Sequence, residues 1–231
     1  MRQVFFVTGT DTSVGKTLVS AALLHAANNA GLKAYGLKPI AAGCHSTEGG
    51  WRNDDALMLA RYANIALEYE QINPVALQAP ISPHLSAERE SRRVSVDRLV
   101  GYCRGAMLES CDLCLVEGAG GWRVPINSGE TMADLAKALK LPVVLVVGIR
   151  LGCLNHALLS AEAIMRDGLH IAGWVANVVD ANTMAIDENI ATLERKFPFP
   201  LLAHIPFMNK VSAERVSELF DISKLIEKRI D

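Results

Sequence analysis

The 231-residue chain is half apolar and carries 23 Lys and Arg against 25 Asp and Glu, a formal net charge of −2. That is enough apolar material for one large core, so a single domain over residues 1–231 is expected. The near-neutral balance attracts neither nucleic acid nor an anionic membrane, and no apolar run approaches the roughly 18 residues of a membrane span. With no leader ahead of the first apolar run, these features predict a cytoplasmic protein whose partners are small molecules.

A first strand is expected over residues 4–8. It is followed by Gly9-Thr10-Asp11-Thr12-Ser13-Val14-Gly15-Lys16-Thr17 and by a helical pattern over 16–30, the helix character setting in near Leu18. Strand, glycine-bearing loop and helix in that order form a phosphate-binding loop: backbone N–H groups face phosphate oxygens, Lys16 neutralises terminal phosphates, and the Thr17 hydroxyl reaches Mg2+. Thr12, Ser13, Val14, Gly15, Lys16 and Thr17 are therefore the nucleotide-binding candidates. Five residues separate Gly9 from Gly15 where the common pattern has four, so Thr10 stands at the first glycine position. The Gly15-Lys16-Thr17 end is intact, and a nucleoside triphosphate is the expected ligand.

Further apolar runs predict buried parallel strands over 34–37, 113–117, 143–148, 171–176 and 201–205. Helical patterns alternate with them over 54–62, 96–109, 132–139, 155–166, 183–196 and 212–228. This rhythm implies an α/β fold of the P-loop NTPase type, a doubly wound and mostly parallel sheet with helices on both faces. Functional residues then belong at the carboxyl ends of strands. Residues 44–53 and 72–93 interrupt the alternation and read as excursions over the site.

Lys38-Pro39 follows the second strand. Alone, Lys38 reads as a surface lysine before a turn proline; beside a triphosphate it is a second cation for phosphoryl transfer, which is catalysed by positioning and charge neutralisation. In Arg52-Asn53-Asp54-Asp55-Ala56, Asp54 is expected to cap a helix and Asp55 to face the site. Glu117 ends the third strand in Val116-Glu117-Gly118-Ala119-Gly120-Gly121-Trp122, where it either accepts loop N–H groups or serves a metal. Mg2+ takes oxygen ligands, and Thr17, Asp55 and Glu117 form a chemically sensible set. Cys44, Cys103, Cys111, Cys114 and Cys153 are odd in number and share no spacing, so buried free thiols are expected. Cys111 and Cys114 would point to opposite faces of an extended chain, poor geometry for sharing a metal.

The phosphate loop, Lys38-Pro39, Arg52-Asn53-x-Asp55-Ala56, Asn73-Pro74, Ser82-Pro83-His84, Val116 to Trp122, Gly152-Cys153-Leu154-Asn155-His156 and Gly173-Trp174-Val175-Ala176-Asn177 together resemble the dethiobiotin synthetase family. The match runs in order from about residue 4 to residue 207. The resemblance implies ATP-dependent ring closure of 7,8-diaminononanoate with CO2, giving dethiobiotin, ADP and phosphate through a carbamate and a carbamic-phosphoric anhydride. It implies Lys38 and Lys16 as catalytic residues, Lys38 on the carbamate and Lys16 following charge from the γ-phosphate. It gives Mg2+ to Thr17, Asp55 and Glu117, and the adenine to Asn177 with Ile205, Pro206 and Phe207. The helix starting near Gly152 to Asn155 would receive the substrate carboxylate of a neighbouring subunit, making the enzyme a homodimer; His156 is assigned to packing. Ala42 departs from a frequent serine of the family, and Ser13 from an acidic residue found in some members.

Two competing readings are weaker. A cobyrinic acid diamide synthase would need an attached glutaminase domain, for which a chain ending at Asp231 has no room. A partitioning ATPase of the ParA and MinD type carries an extra lysine early in the loop, where Thr10 and Asp11 stand. Glu214, Glu218, Asp221 and Glu227 among the basic residues of 210–231 favour a docked helix over a membrane-binding one.

Overall fold

The computed structural model describes residues 2–226. From β1 (Gln3–Gly9) the chain passes through the loop into α1 (Lys16–Asn29), β2 (Ala34–Leu37) and the short β3 (Ile40–Ala42). The hairpin of β4 (His45–Thr47) and β5 (Gly50–Arg52) leads to α2 (Asp54–Tyr62), α3 (Tyr69–Ile72), β6 (Val75–Leu77), α4 (Pro83–Arg89) and α5 (Val96–Ala106). Strand and helix then alternate through β7 (Leu113–Gly121), α6 (Met132–Leu139), β8 (Val143–Ile149), α7 (Cys153–Arg166), β9 (Ile171–Val178), α8 (Ile186–Lys196) and β10 (Leu201–Ile205), ending in α9 (Ala213–Ser217).

Six strands pair in the order β10-β9-β8-β1-β7-β2, all parallel, as the near-continuous apolar runs predict for strands buried on both faces. Side chains alternate between the faces. Phe5, Val7, Leu113, Leu115, Val144 and Val146 join α1, α2 and α9 in one core, whereas Phe6, Cys114, Val116, Leu145 and Val147 join α5, α6, α7 and α8 in the other. β1 lies inside the sheet between β7 and β8, so the loop it delivers opens where successive connections run to opposite edges, the crevice in which doubly wound sheets bind ligands.

The two excursions have structure of their own. Residues 45–52 form the antiparallel hairpin, and β3 pairs in parallel with β6 through Ile40 and Val75. Three-residue strands in Pro- and Gly-rich surroundings carry no legible period, which hides this small sheet from the sequence. Three helices depart from expectation. α5 stops at Ala106 because Leu108 and Glu109 bond three residues back, and α8 starts at Ile186 after Ala185 takes a left-handed conformation. The single helix expected over 212–228 is instead α9 plus a 3-10 turn at Ile222–Lys224, with Ser212 and Asp221 each capping a new start; residues 227 and 228 lie outside the described residues.

All five cysteines are buried free thiols. Cys111 precedes β7 rather than lying within it, so strand alternation does not apply, and both Cys111 and Cys114 approach the Tyr35 hydroxyl instead of facing apart. Burial pushes both thiols above the ordinary range, consistent with inert core residues.

Candidate functional site

The loop between β1 and α1 folds back on itself through two left-handed residues, Ser13 and Gly15. Only glycine fits at position 15, because a Cβ there would sit 2.2 Å from Asn177 Nδ2, an amide that donates to the Val14 carbonyl at 2.8 Å. Val14 is 1% exposed and plugs into the sheet beside Gly9 and Gly148, anchoring the loop while contributing only backbone to the cleft. Asp11 accepts the Thr12 N–H, pairs with Arg150 at 2.5 Å, and offers its carbonyl to Lys16 Nζ at 2.9 Å. Thr10, at the first glycine position, accepts from the Gly148 N–H at 3.4 Å.

The remaining charges come from the residue after β2, from α2 and from β7, the last of which bulges beside this loop. Val7 of β1 is opposite Glu117 and Gly9 is opposite Gly121, so β7 spends two extra residues across the same stretch. Lys38 follows β2, the neighbour of β7. Its Nζ donates to Glu117 Oε1 at 2.6 Å, Asp55 Oδ2 at 2.9 Å and the Gly118 carbonyl at 3.2 Å. Glu117 Oε1 also accepts from Thr17 Oγ1 at 2.7 Å. Asp55 arrives on α2, whose cap is Asn53 rather than the expected Asp54: Asn53 Oδ1 accepts the N–H groups of Asp55 and Ala56, while Asp54 faces solvent near His45.

Burial makes these contacts expensive and therefore informative. Lys38 is 3% exposed and Glu117 fully buried. Burial works to lower the Lys38 pKa, but the carboxylates of Glu117 and Asp55 outweigh it and hold the ammonium above its usual range. Asp55 is the mirror case: burial would raise it, and the Lys38 ammonium with the Thr17 hydroxyl keeps it below the usual carboxylate range. Lys16 has no such partner. Burial first, then repulsion from Lys38, lower its pKa to about 8.

These groups line a cleft of about 630 Å3. Thr12, Ser13, Gly15, Lys16 and Thr17 of the loop line it, as do Ala41, Ala42 and residues 80–83, which are apolar apart from Ser82. Asn177 is 6% exposed and braces the loop from behind. Phe207, just past β10, is 44% exposed. Gly152 to Asn155 open α7 outside the cleft lining, and His156 is exposed rather than packed within the chain.

A profile of the AAA domain matches residues 3–215. Among curated proteins, the ATP-dependent dethiobiotin synthetase BioD of Cellvibrio japonicus is 54% identical over 226 residues, 98% of this chain and 99% of the relative. The protein of the same description from Pseudomonas aeruginosa strain UCBPP-PA14 is 52% identical over 221 residues, 96% of this chain and 97% of its own length. The chain belongs to the dethiobiotin synthetase family. Solved structures of lower identity share only the fold. The signal recognition particle receptor FtsY of Elizabethkingia anophelis in complex with GDP has a TM-score of 0.55 at 16% identity, and the chain spans 99% of itself but 64% of that receptor. MinD of Pyrococcus horikoshii, complexed with Mg-ADP, gives 0.52 at 18% identity over 89% of this chain and 82% of that one.

Of the signatures by which the sequence resembles dethiobiotin synthetases, the phosphate loop, Lys38, Asp55 and Glu117 converge on one end of the cleft. Asn73 and Tyr69 are the residues that sequence reasoning left without a role: Asn73 was seen only as part of Asn-Pro, and nothing local marks Tyr69. The set also fits a divalent cation. Glu117 Oε2 is a buried oxygen with no hydrogen-bond partner, beside a hydroxyl and a second carboxylate. Among the described residues no three His, Cys, Asp or Glu side chains form a metal cage; a Mg2+ ion here would take its remaining ligands from phosphate oxygens and water, its usual habit.

The lowered Lys16 pKa fixes a sign. The free protein loses this charge as pH rises through about 8, whereas an unfolded lysine holds its proton to about 10.5; stability from this group therefore rises with pH across that window. An anionic ligand reverses the preference, so ATP affinity should weaken between pH 7 and 9. Lys16→Met should raise the melting temperature of the ligand-free protein at pH 7 and abolish its stabilisation by ATP. A variant stabilised by ATP as strongly as the parent contradicts this assignment.

Proposed function

We propose that this chain closes the ureido ring of dethiobiotin from 7,8-diaminononanoate, CO2 and ATP, with Lys16 and Lys38 as the catalytic pair. Carbon dioxide adds to one amine with loss of a proton, giving a carbamate. A carbamate oxygen attacks the γ-phosphorus and ADP leaves; the second amine then attacks the carbonyl carbon, phosphate departs, and the cyclic urea forms. The observation that supports this assignment most directly is the second buried ammonium. Binding a triphosphate needs Lys16, but bringing an anionic acceptor against an anionic phosphoryl group needs a further fixed cation, and Lys38 stands at the head of the cleft.

Lys38 holds the carbamate and Lys16 follows charge from the γ-phosphate onto the mixed anhydride. The mutual repulsion of the two ammonium groups in the free site is relieved when anions enter between them. The loop residues Thr12 to Thr17 cradle the phosphates, with Val14 holding the loop's shape. Thr17, Asp55 and Glu117 would hold Mg2+, which supplies charge neutralisation at the phosphates when bound. The apolar wall around Ala41, Ala42 and Pro80 suits the aliphatic body of the diamine. With Ala42 in place of a serine, the hydrogen bond to the substrate there is lost or is taken over by Thr12, which also lines the cleft, or by a water. Asn177 and the Ile205-Pro206-Phe207 segment serve the base, although one amide N–H of Asn177 is spent on Val14.

The substrate carboxylate is taken by the start of α7 on a second copy of the chain. Within one chain that helix terminus does not line the cleft; Leu151 just ahead of it is 99% exposed, and Leu159 and Met165 further along α7 are 56% and 44% exposed, apolar surface that a homodimer would cover. No described helix is long and apolar enough to cross a membrane, and cytoplasmic placement follows from the proposed metabolite chemistry.

Supplying diamine, bicarbonate, Mg2+ and ATP should yield a cyclic urea by mass spectrometry with matching phosphate release. Lys38→Met should lower that turnover by at least about a hundredfold while leaving ATP affinity within a few fold; near-normal ring closure removes Lys38 from its role. Mixed dimers of a Lys38→Met chain with an Asn155→Asp chain should regain activity through one intact composite site. Verified heterodimers without any activity would argue for sites contained in single chains.

A further inference from the structure

Lys38 and Asp55, paired at 2.9 Å, come from separate segments of the chain, and one phenol outside the cleft ties those segments together. The Tyr69 hydroxyl accepts the backbone N–H of Asn53 at 2.7 Å and donates to Asn73 Oδ1 at 3.0 Å. Asn73 passes the connection on, its Nδ2 donating to the Lys38 carbonyl at 2.7 Å, while the Lys38 N–H donates to the Ile72 carbonyl at 2.8 Å. On the other side Asn53 caps α2 through the N–H groups of Asp55 and Ala56. Asn53 and Asn73 are 7% and 2% exposed, so each bond left unmade there would strand a buried polar group.

The ring itself is held. Arg52 lies 4.0 Å over its face and pairs with Glu70 at 3.2 Å. A hydroxyl on a clamped ring can accept from one backbone and donate to another at a fixed separation; a mobile water cannot set that distance.

We propose that Tyr69 is a positioning residue for ring closure: its hydroxyl, bridging Asn53 and Asn73, sets the distance between the backbone that carries Lys38 and the helix start that carries Asp55. The inference rests on the role given to Lys38 above. Tyr69 does not line the cleft, so its removal should act through the spacing of Lys38 and Asp55 and not by direct contact with the nucleotide.

Tyr69→Phe keeps the ring and its stacking on Arg52 while deleting only the hydroxyl. It should lower kcat for cyclic urea formation about tenfold, because displacing a reacting group by a fraction of an ångström carries that order of cost. KM for ATP and the ATP-induced thermal shift should stay within twofold of the parent. Combined with Lys38→Arg, its effect should be less than the product of the two single losses, the mark of groups that act as a unit. Asn73→Asp, which keeps the acceptor for Tyr69 but removes the donor to the Lys38 carbonyl, should give the same kcat-only loss and serves where Tyr69→Phe folds poorly. A normal kcat, a loss shared equally by kcat and ATP binding, or losses that multiply would each overturn the proposal. Normal turnover by Lys38→Met would instead remove the reading on which it rests, whereas an inactive Lys38→Met beside a fully active Tyr69→Phe sinks the positioning role alone.

Discussion

Lys38 is 3% exposed, and Glu117, whose carboxylate faces its ammonium, is buried completely. Taking such a pair out of water costs several kcal/mol per ion before their attraction is counted, and a hydrophobic pair of the same volume would commonly be as stable or more so. The cluster therefore has to be held together by every available bond. All three N–H groups of Lys38 are engaged, one of them by the Gly118 carbonyl of β7. The placement of Lys38 beyond β2, of Glu117 in β7 and of Asp55 on the asparagine-capped α2 brings these groups together.

A cluster so arranged is paired without being saturated. One oxygen of Glu117 has no partner, and Lys16, beside the cluster, is left with a weakened hold on its proton. Anions and a divalent cation would complete both: the first restore charge to Lys16, the second takes the free oxygen. For Lys38 to grip an acceptor it must exchange one existing bond, and the contact to the Gly118 carbonyl, at 3.2 Å, is the longest of the three. Buried charge is here a store of unmet electrostatic demand that substrates satisfy.

Much of this was legible in the residues. The six sheet strands were visible because parallel strands buried on both faces read as uninterrupted apolar runs, and their boundaries moved by only a few residues at the ends. Lys16 and Thr17 stand out through the loop motif, whereas Lys38 alone reads as a surface lysine and Glu117 as a loop acceptor, and only their combination with Asp55 and the loop points to the cluster the structure shows. What escaped was set by contacts between distant segments. Asn53 displaced Asp54 as the cap because its amide also reaches the Ala42 carbonyl. Tyr69 carries no local signal, since its importance lies in two partners on different segments. The break after α9 was hidden by a helical pattern that continued through Phe220 and Asp221, where capping by Asp221 restarts the turn.

Fold likeness and family membership answer different questions: FtsY and MinD share the fold at 16% and 18% identity, while relatives named dethiobiotin synthetase match nearly the whole chain at above 50%. The proposed ring closure turns on Lys38 reaching the reacting oxygens. A crystal structure with Mg2+, a non-hydrolysable ATP analogue and the diamine under CO2 would test it most directly. Lys38 Nζ should lie within hydrogen-bonding distance of the carbamate or a γ-phosphate oxygen, with Glu117 or Asp55 on the metal. Lys38 retaining its three present partners, with both ligands bound and out of its reach, would contradict the account.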